Sequence, residues 1–182
     1  DILSVITPSF AKASQHELIV HYTRVAEAVP NMPIVLYNIP MRTGNALEPQ
    51  TVVELAKIDN IIGAKDSSGD WDNLSAYIEL TKDMDFGVLS GNDALILKAL
   101  QAGAKGAIAG CANVYPKNMV GIYENWAAGD MEPLKAALKE RVWQWGSMKE
   151  PQWLVQSLCG GKFDPHYFTR YLKEKYTALY QL

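Results

Sequence analysis

The stretch Ile61-Ile62-Gly63-Ala64-Lys65-Asp66-Ser67-Ser68-Gly69-Asp70-Trp71 packs one architectural unit into a few residues. An apolar, β-branched run ends in an amine, a loop of Ser and Gly follows, and Asp70 then precedes a helical pattern. The same unit recurs along the chain. Strand candidates lie at Ile2 to Thr7, Pro33 to Tyr37, Ile61 to Lys65, Phe86 to Ser90 and Gly106 to Ala109. Helical stretches are expected at His16 to Val29, Pro49 to Lys57, Trp71 to Asp83, Asp93 to Ala102 and Lys117 to Ala128, several with a cap residue or proline at the start. From Glu132 onward the pattern is helical only, with helices expected at Pro133 to Gly146, Glu150 to Leu158 and Pro165 to Leu179, the last two parted by Gly160-Gly161. The chain therefore divides into residues 1–131, built of βα units, and a helical region, 132–182.

Strands that alternate with helices form a parallel sheet, open or closed. A closed eight-stranded barrel typically takes about 250 residues, so five units and a tail fall short by roughly three. Asp1 stands directly before a strand without an initiator Met, which is how a barrel looks when its first three units are missing.

Composition narrows the function classes. With 48% hydrophobic and 20% charged residues the chain can build a core, so disorder is excluded. A net charge of −3, without runs of one sign, argues against an electrostatic grip on nucleic acid or anionic lipid and makes a small molecule the expected partner. Cys111 and Cys159 are the only cysteines and lack metal-ligand spacing, which fits a reducing, cytoplasmic home. No apolar run approaches the roughly 20 residues that cross a bilayer, and no signal peptide is seen, so nothing is expected to address or anchor the chain.

In parallel α/β folds the loops after the strands converge on one rim and carry the reactive groups. Two strand ends stand out: Tyr37, closing Pro33-Ile34-Val35-Leu36-Tyr37-Asn38, and Lys65, closing the next strand. Partial desolvation at the end of an apolar strand favours a neutral amine able to attack a carbonyl. The alternative is a lysine that snorkels to the rim and pairs with Asp66. A strand-end tyrosine alone reads equally as a core residue with a satisfied hydroxyl. On neighbouring strands about 4.8 Å apart, the phenol comes within reach of an amine-bound substrate as a proton carrier.

Four segments then appear in order: Tyr37-Asn38-Ile39-Pro40-Met41-Arg42-Thr43-Gly44, Gly63-Ala64-Lys65-Asp66-Ser67-Ser68-Gly69-Asp70, Leu89-Ser90-Gly91-Asn92-Asp93 and Gly106-Ala107-Ile108-Ala109. They resemble consecutive signatures of the dihydrodipicolinate synthase and N-acetylneuraminate lyase family, from Asp1 to about Trp126. The resemblance implies a (β/α)8 TIM barrel, here an incomplete C-terminal portion, and a homotetrameric lyase that needs no cofactor and no metal. It implies pyruvate and an aldehyde as substrates, Lys65 as the imine-forming catalytic lysine and Tyr37 as its proton shuttle. Ile108 matches a main-chain contact to pyruvate, and Gly91 a main-chain contact to the second substrate; plain packing and turn geometry explain both residues as well. Arg42, followed by Thr43-Gly44, matches the arginine that binds the carboxylate of aspartate semialdehyde, for which a forked guanidinium is well shaped. That favours 4-hydroxy-tetrahydrodipicolinate synthase, a step of lysine biosynthesis, over a 2-keto-3-deoxy sugar-acid aldolase or a neuraminate lyase.

Other motif residues have structural explanations. Ser67, Ser68 and Asp70 are expected to cap the helix at Trp71, Asp93 its own helix, and Gly44 and Gly69 to supply positive φ. Trp143, Trp145, Tyr167, Phe168, Tyr171 and Tyr176 read as packing or an interface. Three departures from the family stand out. A Gly-Thr-Thr-Gly-Glu type segment that binds the pyruvate carboxylate is absent, so the chain alone is expected to be catalytically poor. Phe10, in Thr7-Pro8-Ser9-Phe10, stands where a tyrosine is common. The segment 157–173 faintly resembles the last helix-turn-helix of AraC-type regulators, which raises a competing reading as a sensor with a DNA-contacting tail; its slight positive excess speaks against nucleic acid. A non-catalytic barrel fragment is the third reading.

Overall fold

The computed structural model describes residues 1–113 and 115–130, together with 132, 166, 169, 170, 173, 174 and 177. The chain forms two compact units, Asp1–Asp130 and Met131–Leu182. The three terminal helices and their aromatic residues expected from sequence, and the tail on which the competing DNA-contacting reading rests, lie outside the described residues, apart from a few isolated positions.

The first unit runs β1 (Leu3–Ile6), α1 (Gln15–Ala28), β2 (Ile34–Asn38), α2 (Pro40–Thr43), α3 (Pro49–Leu55), β3 (Ile61–Asp66), α4 (Trp71–Thr81), β4 (Gly87–Ser90), a 3-10 turn (Asp93–Leu95), α5 (Ile96–Ala102), β5 (Gly106–Ala107), a second 3-10 turn (Gly110–Asn113) and α6 (Pro116–Ala127). All five strand candidates form, within one or two residues of their expected ends. They pair in parallel, in the order β1-β2-β3-β4-β5. An open doubly wound sheet reverses its order at a switch point, whereas this order never reverses. It is the progression of a TIM barrel, and the fold is part of one.

Helix starts follow local chemistry. Ser14 and Glu17 form a capping box at α1: the Glu17 N–H donates to Ser14 Oγ and the Ser14 N–H to the Glu17 carboxylate. Pro49 and Pro116 each occupy a first-turn position, where the missing N–H costs nothing. Asp70 caps α4 by accepting from the N–H groups of Asp72 and Asn73. Two capping expectations need correction. Ser67 does not cap α4, and Ser68 reaches it only indirectly, by accepting from the Asp70 N–H. Asn92, not Asp93, caps the turn that leads into α5, because its Oδ1 accepts from Ala94 N–H. Asp93 is committed elsewhere, its Oδ2 accepting from the N–H of Cys111. Gly44 and Gly69 do take positive φ, +80° and +76°.

Strand alternation sends one set of side chains toward the helices. Ile34, Leu36, Ala64 and Val88 are buried there against Leu18, Tyr22, Val52, Leu55, Leu74 and Tyr77. The buried phenols are satisfied by carbonyls, Tyr22 donating to Val5 and Tyr77 to Leu47. The opposite face carries Ile6, Tyr37, Lys65 and Leu89, none fully buried. No helix among the described residues is long and apolar enough to cross a membrane.

Candidate active site

Three consecutive strands end side by side. In register, Tyr37 of β2 faces Lys65 of β3, which faces Leu89 of β4; one residue on, Asn38 faces Asp66, which faces Ser90. Because successive residues point to opposite faces, the first row projects from the open face and the second is buried under the helices. Asn38, Asp66 and Ser90 are 1%, 1% and 0% exposed, while Tyr37 and Lys65 are half-buried.

On the open face the Lys65 Nζ lies 4.0 Å from the centroid of the Tyr37 ring. An ammonium so placed is attracted by the ring quadrupole, an interaction worth roughly 0.5–1 kcal/mol at a partly exposed site. The alternative partner, Asp66, is not used. Among described residues, lysines lie within 4.0 Å of a carboxylate at Lys57–Glu54 and Lys82–Glu79, not at Lys65. Alternation is the reason: Asp66 follows Lys65 in the strand and so leaves by the other face.

There the Asp66 carboxylate accepts from Asn38 Nδ2 at 2.7 Å, from Ser68 Oγ at 2.7 Å, and at longer range from Ser68 N–H and Asn73 Nδ2. Burial pushes its pKa above the ordinary aspartate value, and these hydrogen bonds only partly oppose the shift. Asn38 is engaged at both ends, since its Oδ1 accepts from Leu47 N–H at 3.0 Å and its carbonyl from Ser67 N–H at 2.8 Å.

Gly91 sits against the lysine stem. A Cβ there would lie 1.9 Å from Ser67 Oγ, 2.8 Å from Lys65 Cε and 3.0 Å from the Asp66 carbonyl oxygen. Its N–H donates to that same carbonyl at 2.7 Å. A side chain at this position would therefore have to displace Ser67 Oγ and the end of the Lys65 stem, whatever else the main chain does. Ile108, 48% exposed, is held at the same rim through its N–H on the Ser90 carbonyl at 2.9 Å.

Arg42 is exposed in the last turn of α2, a short helix that sequence reading passed over as loop. Pro40 starts that helix and Gly44 ends it in the left-handed conformation. Beneath it lies a polar cluster that sequence reading also missed. Thr7 Oγ1 donates to Thr43 Oγ1 at 2.8 Å, and Asn45 Nδ2 donates to the carbonyls of Pro8 and Ala11 at 2.7 and 2.8 Å. Thr7, Thr43 and Asn45 are buried, so they bind the loop after β1 to the loop after β2. Polar residues at strand ends are a weak signal for such ties, because the partners are more than 30 residues apart. Phe10, in the first of these loops, is fully exposed and holds φ at +78°, an unusual conformation for an aromatic residue. Among the described residues no group of three or more His, Cys, Asp or Glu is placed to hold a metal ion.

A sequence model of the dihydrodipicolinate synthetase family matches residues 1–147. The chain is 45% identical over 132 residues to 4-hydroxy-tetrahydrodipicolinate synthase of Methanospirillum hungatei, which covers 72% of this chain and 45% of that relative. It is 48% identical over 132 residues to the enzyme of the same name from Methanopyrus kandleri, covering 72% and 43%. The chain thus spans less than half the length of these curated relatives. Among solved structures, dihydrodipicolinate synthase from Thermotoga maritima superposes with a TM-score of 0.68 at 34% identity, over 75% of this chain and 50% of that one. A prophage protein of the dihydrodipicolinic acid synthase family from E. coli K12, in complex with pyruvate, gives 0.69 at 34% identity, over 78% and 48%.

Proposed function

This chain belongs to the dihydrodipicolinate synthetase family, and we propose that it carries the Schiff-base lysine of a pyruvate-dependent lyase most like 4-hydroxy-tetrahydrodipicolinate synthase, which joins pyruvate to aspartate semialdehyde or a related aldehyde. The observation that carries this reading is the pairing of Lys65 Nζ with the Tyr37 ring, 4.0 Å apart, on the open face at the strand ends. In its neutral form the Lys65 amine adds to the keto carbon of pyruvate. The carbinolamine then loses hydroxide, which takes a proton from the Tyr37 phenol and departs as water. The resulting iminium draws electrons from the methyl carbon, whose proton passes to the Tyr37 phenolate, leaving the neutral enamine as nucleophile. That carbon attacks the aldehyde carbonyl, whose oxygen takes a proton from Tyr37, and water then adds to the regenerated iminium, gives its proton to the phenolate and releases the keto-acid adduct with the Lys65 amine free.

Around this pair, Arg42 receives the carboxylate of the aldehyde, a role its exposed place beside the rim supports. The N–H groups of Gly91 and Ile108 are engaged by the Asp66 and Ser90 carbonyls, so it is their main-chain carbonyl oxygens that face the aldehyde and the pyruvate adduct. The assembly is a homo-oligomer, a tetramer by resemblance; an exposed aromatic at positive φ, Phe10, suits a contact with a second copy. The working compartment is the cytoplasm.

Borohydride reduction of the protein with a complete barrel in the presence of pyruvate, followed by peptide mass mapping, tests the proposal. An adduct confined to the peptide that contains Lys65, and lost in Lys65→Arg, is the expected result. Labelling elsewhere, or labelling that survives Lys65→Arg, refutes it. Assays with aspartate semialdehyde and with aldoses then separate the synthase from a sugar-acid aldolase.

A further inference from the structure

Behind the open face, the two residues that follow Tyr37 and Lys65 form a buried pair to which the reaction assigns no role. From this pair we infer that Asp66, acting with Asn38, is a positioning residue, whose hydrogen bond on the helix side of the sheet fixes how Lys65 and Tyr37 meet on the other side. The inference rests on the Schiff-base reading of Lys65 and adds a determinant of its geometry.

Register is the first argument. Tyr37 pairs with Lys65, and Asn38 with Asp66, in the same ladder. A side chain that leaves one face of a strand fixes the rotation of the neighbour that leaves the other, and a slip by one residue would exchange the two rows. The β2–β3 ladder is also irregular, with a register shift between Ile34 and Val35. Its alignment at the far end is therefore not inherited from an unbroken ladder, and a second constraint is needed where the reactive groups stand.

Chemistry supplies the second argument. Two residues earlier on the same face, Leu36 and Ala64 are buried at 0% exposure, so apolar side chains fill this layer without desolvating any charge. At the strand ends the sequence instead buries a carboxylate and an amide, each 1% exposed. Such a pair is an uneconomical way to stabilise a core but an effective way to specify an alignment, because it leaves polar groups unsatisfied in any other register. The satisfaction is close to complete. Asp66 receives Asn38, Ser68 and Asn73, and Asn38 holds Leu47 and Ser67. The Asp66 carbonyl in turn accepts from Gly91 N–H, which carries the alignment across to the end of β4.

An exchange of the two groups tests this in the protein with a complete barrel, which serves as the unaltered chain. Asn38→Asp sets two buried carboxylates against each other; adding Asp66→Asn restores an amide that donates to a carboxylate, with the ends reversed. The measurement is the rate at which borohydride traps pyruvate on Lys65, taken against pyruvate concentration and at a temperature where circular dichroism shows each variant folded. Asn38→Asp is expected to slow trapping at saturating pyruvate by about tenfold or more, as misplacement of a reacting group does. Half-saturation should move less than about threefold, and the double variant should return to within about threefold of the unaltered chain. A folded Asn38→Asp that traps at the unaltered rate overturns the positioning role, as does a folded double variant no faster than the single. Should Asn38→Asp fail to fold, Asp66→Asn alone decides. It keeps the shape but weakens a charge-assisted bond, so a slowing of about fivefold supports the inference and an unchanged rate overturns it. No label on Lys65 of the unaltered chain removes the Schiff-base reading and this inference with it, an outcome distinct from equal labelling in every variant.

Discussion

Replacing Gly91 with alanine adds one methyl group at the most crowded point of the rim. Ordinary contact begins near 3.4 Å, and the new Cβ would fall short of it by 1.5 Å against Ser67 Oγ, 0.6 Å against Lys65 Cε and 0.4 Å against the Asp66 carbonyl oxygen. The serine hydroxyl moves by rotating about χ1. The carbonyl is tethered to the Gly91 N–H itself at 2.7 Å, so the backbone has little room to retreat. The remaining strain falls on the lysine stem, which has to shift by more than half an ångström from its place over Tyr37. Overpacking of this kind costs about 1–3 kcal/mol of stability, and a reactive group displaced by about 1 Å loses on the order of 100-fold in rate. Urea unfolding reads the first effect and borohydride trapping of pyruvate on Lys65 the second. Adding Ser67→Gly removes the shortest clash, so stability should recover in part while trapping stays slow. Gly91→Ala with unchanged unfolding free energy and unchanged trapping would refute the claim that a side chain here has to displace Ser67 Oγ and the Lys65 stem.

Tyr77→Phe deletes the hydroxyl that donates to the Leu47 carbonyl in the core and is expected to cost about 1–3 kcal/mol in a urea melt, since the carbonyl stays buried. Arg42→Ala, at an exposed position, should leave stability within about 0.5 kcal/mol while raising the half-saturating concentration of aspartate semialdehyde and leaving that of pyruvate unchanged; equal effects on both would count against its role. Burial raises the pKa of Asp66 in the folded chain above its unfolded value, so the folded state binds the proton more tightly. Its contribution is fully present below the unfolded pKa and declines as pH rises through the folded one. Unfolding free energies measured upward from the ordinary aspartate range should show this decline, and Asp66→Asn should abolish it.

The βα rhythm, the ends of most elements and the candidacy of Tyr37 and Lys65 were legible in the sequence because each depends on neighbours a few residues away. Alternation marks a strand, a proline or aspartate marks a helix start, and an amine that ends an apolar run is conspicuous wherever the strand lies. The same local reading went astray at Asn92 and Asp93, where adjacent residues are equally good caps; a long-range bond to Cys111 took Asp93 out of the competition.

What the sequence left open was decided by pairings between segments about thirty residues apart. Whether Lys65 meets Asp66 or Tyr37 depends on the β2–β3 register, which places the phenol beside the amine and sends the carboxylate through to the helices. The crowding at Gly91 and the tie among Thr7, Thr43 and Asn45 arise in the same way. Local chemistry chooses the conformation of a strand and a turn. Only the assembled sheet sets which side chains share a face, because that depends on backbone hydrogen bonds between strands that no single stretch of sequence contains.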